Sequence, residues 1–597
     1  MRLKTILFLL ISAIVISSCS KKEEKVLNIY SRQKIQFLEP ARISSIYEER
    51  IARQIYETLY EFNYLKDPYK LIPLIAANLP QINRDKLTYT IKIKQGVKFA
   101  DDPCFKNTNG KGRTVNARDF IYSLKYFAAS PSFHKAYFMY YIDGLIDFRR
   151  KAKEAYKKGQ TLTEFIKTNE VKGLKADDEY TLSIRIVQPC TYFLETITIP
   201  EASIVPIEAL EYYGANFNVH PVGTGPFILK ELNKNNETVL VRNPNYTHSQ
   251  YPTEATEEEE KEGLLKDTGK PLPLVDKIVV RHLKTDRERQ SEFDKGKLDI
   301  YSPEHESLYE YFPKNKELSK EYRDIGTKVT QIDNTKFTGI LFNMNDPLIG
   351  KNKYLRQAIV NAFDNAKNID VFFYERPITA YWIIPPHVFG YDPNYKSPYV
   401  YNISEAKKAL SRAGYPNGKG LPEIIFLLEE DPLMHRIGKF FEESMSKIGI
   451  NVKLEFVDNP EKINQTVEDK KNHIHLFMAS GYSIFSSPEV LLRLFYKGRS
   501  KYKTNYSGYY NQEYEKLCDK VSLMEDGPEK LKTLNRMRDI IINDHVVIPM
   551  SFSVLYRLYY DYVQNYKPHV MMFDRYKYLN IDTEEKYRVL KRLSNKR

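Results

Sequence analysis

Alternation of apolar and polar residues marks the first third of the chain. Leu87, Tyr89, Ile91 and Ile93 alternate with Thr88, Thr90, Lys92 and Lys94. Leu182, Ile184 and Ile186 alternate in the same way with Thr181, Ser183 and Arg185. A period of two predicts half-buried strands. V-L-N-I-Y at 26–30 predicts an opening strand, and 48–61 and 119–127 predict helices. Further on, the period lengthens. Leu355, Ala358, Ile359, Ala362 and Phe363 form one helical stripe. Ser404 is placed to cap a helix over 405–413 that Gly414 ends, and Gly449 stops a helix over 437–448. Ile450, Val452, Leu454 and Phe456 then alternate as a strand. Helix, glycine, strand is the repeating unit of a sheet lobe, so the fold class is α/β. The charged stretch 254–273 reads as a solvated insertion.

At 597 residues the chain exceeds one ordinary domain and suffices for two or three packed lobes. Hydrophobic residues at 42% and charged residues at 28% describe a globular chain rather than a disordered one. The net charge of +13 would suit nucleic acid only if it clustered. Lys and Arg are instead interspersed with acids, and the clearest run, Glu257 to Glu260, is acidic. No nucleic-acid partner is expected.

At the N-terminus, Arg2 and Lys4 precede an apolar stretch at 6–16, too short to span a bilayer. I-S-S-C at 16–19 and a polar run at 20–25 follow. This resembles a bacterial lipobox, in which the cysteine thiol takes a diacylglycerol and the chain is cut before it. The expectation is a signal peptide over 1–18, lipidation at Cys19 and a tether over 19–25. The mature body is then lipid-anchored on the periplasmic or cell-surface side of a bacterial membrane. H-E-x-x-H, G-x-S-x-G and G-x-x-x-x-G-K-[ST] are absent, as is C-x-x-C. His473 and His475 share a strand face without a third ligand nearby, which does not make a metal site. No catalytic residue, metal or cofactor is expected, and the chain is not read as an enzyme.

Ordered blocks then resemble one family. They are L-E-P-A at 38–41, Q-I-Y-E-T-L at 54–59, L-I-P-L-I-A at 71–76 and L-T-Y-T-I-K-I-K-Q-G-V-K-F at 87–99. T-V-N-A-R-D-F-I-Y-S at 114–123, P-V-G-T-G-P-F at 221–227 and V-R-N-P-N-Y at 241–246 continue the series. Phe342-Asn343 with L-R-Q-A-I at 355–359, and S-E-A-K-K-A-L at 404–410 with A-G-Y-P at 413–416, complete it. Together they are similar to the bacterial extracellular solute-binding proteins of family 5, the oligopeptide, dipeptide and nickel binding proteins of ABC importers.

The resemblance implies a type II periplasmic-binding-protein architecture, two hinged α/β lobes with a third domain. It implies a discontinuous first lobe over 26–54, 206–330 and 549–597, an additional domain over 55–205 and a second lobe over 331–548. It implies a monomeric, lipid-anchored receptor that binds peptides or peptide-like solutes between its lobes and delivers them to an ABC permease and ATPase. The alternatives are a nickel, metallophore or sugar receptor, a sensor or adhesin on the same fold, or a lipoprotein hydrolase. A Cys104–Cys190 disulfide also follows from the resemblance, since both fall in one lobe, with Cys518 left as a small buried residue.

The family often carries G-W-x-A-D after a strand, its Asp holding the peptide α-ammonium. Here strand 474–478 leads into Gly481, Tyr482, Ser483, Ile484 and Phe485. Tyr482 falls at the Trp and Phe485 at the Asp. A ring cannot form the ion pair a carboxylate forms, so ligands blocked at the amine fit better. On this reading Phe485→Asp raises affinity for free-amine peptides. Gly481, Tyr482, Ser483 and Phe485 are the expected pocket residues, with Asn343 also facing the cleft and Glu489 near enough to supply charge. Val222, Gly223 and Thr224 form a structural turn that needs small residues at unusual φ, and Trp382 is read as packing.

Overall fold

The computed structural model describes residues 23–595, apart from 66–68, 132–136, 305–306, 313–316, 374–376, 484, 499–503 and 572–575. The expected signal peptide and Cys19 lie outside the described residues. Strands run in chain order as β1 (Val26–Ser31), β2 (Tyr60–Phe62), β3 (Leu71–Pro73), β4 (Gln81–Ile82), β5 (Thr88–Lys92), β6 (Leu174–Ala176) and β7 (Thr181–Arg185). They continue as β8 (Phe227–Lys234), β9 (Glu237–Arg242), β10 (Lys277–His282), β11 (Ile300–Tyr301), β12 (Thr327–Phe342) and β13 (Ile378–Thr379). β14 (Ile424–Glu429), β15 (Val452–Val457), β16 (Leu476–Tyr482) and β17 (Val547–Tyr560) follow.

Three sheets organise the molecule. The first has the order β1-β10-β9-β8, with β1 and β10 parallel. The second, antiparallel, has the order β4-β5-β7-β6. In β5, Tyr89 and Ile91 are buried while Thr88 and Thr90 are half-buried, as the period of two predicts. The third has the order β11-β17-β12-β16-β14-β15, with β13 added on β17. Its inner strand β14, I-I-F-L-L-E, reads as the near-continuous apolar run expected where both faces are covered.

β12 and β17 are the long elements, 16 and 14 residues. They pair from Thr327↔Tyr560 to Leu341↔Val547, with register breaks between Asp333 and Phe337 and between Thr338 and Gly339. β11 joins β17 at its Tyr559 end, whereas β16 joins β12 only from Lys336 onward. The two strands form the long spine of this sheet, and the register break near residue 335 bends the pair.

Several local expectations are corrected. The helix expected over 48–61 is Ile46–Ile55, capped by Ser45, because the chain turns extended at Tyr56 toward β2. Asn402, not Ser404, caps Ile403–Arg412, its Oδ1 accepting from the Glu405 N–H at 3.0 Å. The helix expected over 437–448 begins earlier, as Pro432–Ser446 capped by Asp431. The 254–273 stretch is docked rather than a free insertion. Thr256 caps Glu257–Lys261, Glu259 is buried, and Asp267 accepts from Asn565 and Asn580 near the C-terminus. No Cys104–Cys190 disulfide forms. Both are buried free thiols in separate surroundings, Cys104 beside Asp102 and Glu208, Cys190 beside Tyr141 and Arg493. Burial pushes the Cys190 thiol up to about 12.

The 222–224 turn is structural for a different reason from the one expected. Neither Gly223 nor Gly225 has positive φ. A Cβ on Gly223 would instead stand 2.1 Å from the Ile55 carbonyl oxygen, and one on Gly225 2.5 Å from the Ile55 carbonyl carbon. Gly223→Ala is therefore expected to destabilise the fold by about 1–3 kcal/mol, the usual cost of overpacking. Chemical denaturation checks this, and an unmoved midpoint would speak against it.

Candidate functional site

In the second lobe the chain runs from β14 through the helix Pro432–Ser446 to β15, then through the helix Pro460–Glu468 to β16. β15 lies on one side of β14 and β16 on the other, all parallel. Connections therefore reverse direction between β14 and β16. In open α/β sheets the crevice at the carboxyl ends of such strands is the favoured ligand position.

The two strands part there. Among the described residues they pair only through Phe426↔Leu476 and Leu427↔Phe477, while β16 stays paired with β12 as far as Tyr482↔Lys336. Residues 479–482 so have no ladder partner on the β14 side among the described residues. The split holds a pocket of about 370 Å³, which Glu429, Ser480 and Lys336 reach from the strand ends. Leu341, Ile463, Phe477 and Leu494 supply apolar parts of its lining. Lys336 lies beside the register break between β12 and β17. Lys336 stands 5.7 Å from the centre of the Tyr482 ring.

The expected site residues divide into three groups. Gly481 and Tyr482 lie exposed at the carboxyl end of β16, beside the pocket. Ser483 and Phe485 are buried, Phe485 against the segment around Tyr192. The Ser483 hydroxyl donates to the Phe485 carbonyl at 2.8 Å, and the Thr335 hydroxyl donates to the Ser483 carbonyl at 2.6 Å. Phe485 is 0% exposed, its ring 6.0 Å from that of Tyr192. It is a packing residue of that interface, which corrects its reading as a ring facing the ligand. Asn343 is corrected too. It follows the far end of β12, where Phe342 pairs with Leu476, roughly 20 Å along the strand from the Tyr482 end. Its amide donates to the Ile474 carbonyl at 2.7 Å and accepts from the Asn345 N–H at 3.1 Å, so it closes a turn.

The same interface holds carboxylates that sequence reasoning missed or left open. Glu195 accepts from the Ser486 N–H at 2.7 Å and from the Ser486 and Ser487 hydroxyls at 2.9 and 3.1 Å. Burial raises its carboxyl to about 7, against the pull of those donors and with the push of nearby Glu489. Glu489 opens the helix Glu489–Leu492 and is held by buried Lys530 at 2.7 Å and the Thr191 hydroxyl at 3.3 Å. Arg493 donates to the Tyr141 hydroxyl at 2.9 Å, and Lys86 meets Glu525 at 3.0 Å. The segments around 141–195 and 485–493 are thus in contact, with Glu195 and Phe485 buried at their junction.

Comparison with known proteins places the chain in a family. A family model, bacterial extracellular solute-binding proteins, family 5 Middle, matches residues 70–503. The chain is 22% identical over 533 residues to the glutathione-binding protein GsiB of Escherichia coli K12, covering 87% of each chain. It is similar in structure to HbpA2 from Haemophilus parasuis, with TM-score 0.72, 20% identity and coverage of 94% and 100% of the two chains. It is also similar to the periplasmic binding protein DppA from Helicobacter pylori in complex with the peptide STSA, with TM-score 0.67, 20% identity and coverage of 93% and 98%. The fold is that of the type II periplasmic binding proteins. The chain belongs to the bacterial extracellular solute-binding proteins of family 5.

Proposed function

We propose that this chain is the substrate-binding protein of an ABC importer for peptides or peptide-like solutes. The observation that carries the reading is the edge of residues 479–482, which has no ladder partner on the β14 side among the described residues, beside the pocket at the strand split. An extended ligand backbone adds to such an edge as a strand, and side chains alternate into flanking pockets. The lobes, divided at about 331 and 549, close about the crossing strands, and closure is driven by ligand affinity for the closed state. The carboxylates near the expected ammonium position are engaged, Glu195 by Ser486 and Ser487 and Glu489 by Lys530. Ligands blocked at or lacking the α-amine suit this site. A peptide-bound neighbour on the same fold and glutathione-binding relatives support the ligand class. The protein acts as a monomer, anchored at Cys19, and hands its ligand to a permease and ATPase without chemistry of its own.

Titration calorimetry of the mature chain tests this. Saturable binding of N-acetylated Ala-Leu-Ala, with Ni²⁺ and galactose silent, is the expected result. Saturable binding of Ni²⁺ or galactose alone would overturn the peptide reading.

A further inference from the structure

Resting on the peptide reading, we infer that the pocket between β14 and β16 is a subsite for one bulky apolar ligand side chain of the size of Leu, Met or Phe. Phe477, Ala479 and Gly481 share one face of β16. On that face the side chains shrink toward the open end of the strand, from a ring to a methyl to none. A Cβ added at Gly481 would meet nothing within 4 Å, so space continues above the strand end. A ligand strand laid along 479–482 therefore finds room on this face that the protein's own side chains leave unfilled.

The chemistry of the space selects what fills it. Leu341, Phe477 and Leu494 give it apolar walls, and Met434 and Met478 are flexible thioethers that adapt to more than one shape. Polar groups such as Ser480, Asn464 and Thr504 complete the lining, where a ligand backbone needs partners. Lys336 and Glu429 also line it and are of opposite sign, so the lining carries no net charge that would select one sign of side chain. A volume of about 370 Å³, lined by apolar side chains together with a comparable set of polar ones, lies within the range of ligand sites, and it takes one large side chain with its flanking peptide groups.

The test is a calorimetric panel on the mature chain with N-acetylated Ala-X-Ala, X being Ala, Leu, Met, Phe, Glu or Lys. Leu, Met and Phe peptides are expected to bind about 10- to 100-fold tighter than the Ala peptide, the return from burying one such side chain. Glu and Lys peptides are expected to bind no tighter than Ala. Ala479→Leu, which fills the space from the strand itself, should bring the Leu-to-Ala ratio close to one. Ile463→Ala, which widens it, should move the preference toward Phe. Equal affinity for the Ala and Leu peptides in the native chain, or an unchanged ratio in Ala479→Leu, would overturn the subsite while leaving a peptide receptor. Binding of no peptide in the panel would overturn the peptide reading and the subsite with it.

Discussion

Ligand affinity is expected to fall as pH rises from about 5 to about 7, by one to two orders of magnitude in all, and to level off above that. The cause is Glu195. Burial in this structure raises its carboxyl to about 7, and a form in which 486–489 moves away and Glu195 meets water would return it toward the ordinary 4.5. A group whose pKa is higher in the closed state takes up a proton on closing. Its contribution to closure is complete below the open-state value and is lost as pH climbs to the closed-state value. The surrounding charges point the same way. Glu489 faces it as a second buried carboxylate, and one buried lysine, Lys530, is held by Glu489 and by the more exposed Asp526. Glu195 itself is met by an N–H and two hydroxyls rather than by a cation. Calorimetry in buffers of different ionisation heat should show uptake of close to one proton per ligand near pH 6. Glu195→Gln keeps the shape and removes this titration, leaving only that of Glu489, whose carboxyl burial also raises, so its affinity should depend on pH much less steeply. A variant with the native pH slope would contradict this.

Phe485→Ala should weaken ligand binding more than any other single change at the interface, by 100-fold or more. The ring is fully buried against Tyr192, where the segment around 485 packs on the segment around 192. Truncating a buried Phe costs about 3–5 kcal/mol, and a ring buried by lobe contact is lost to closure rather than to the fold of either lobe. Phe485→Asp should be worse still, because closure would then bury a carboxylate without a cation. This reverses the expectation drawn from the family motif, that an Asp here restores an ammonium site. Calorimetry with free-amine and N-acetylated tripeptides decides it. Tighter binding of the free-amine peptide by Phe485→Asp would place the ring in the ligand cleft after all.

Much of the fold was legible because it rests on local chemistry. Tyr89 and Ile91 alternate with Thr88 and Thr90, and β5 buries just those two. Gly414 and Gly449 both take left-handed φ next to helix ends, where glycine has no Cβ to clash. Helix starts were less legible, since Asn402 and Ser404 are both competent caps and only the backbone decides between them. The site was legible in part. Gly481 and Tyr482 end a strand that the sequence marks by its apolar run. The pocket depends on β16 and β15 lying on opposite sides of β14, an order that no local pattern encodes. Glu195 and Ser486 are 291 residues apart, and a lone Glu on a short helix carries no sign of that partner. Asn343 misled because a buried Asn after a strand serves a turn as readily as a cleft.

The central claim is that peptide-like solutes occupy the space between the lobes. Mass spectrometry of what leaves the freshly purified mature chain on denaturation tests it most directly. A family of short peptides, rich in one bulky apolar residue and including blocked amines, is the result this account predicts. A single non-peptidic mass held in stoichiometric amount would contradict it.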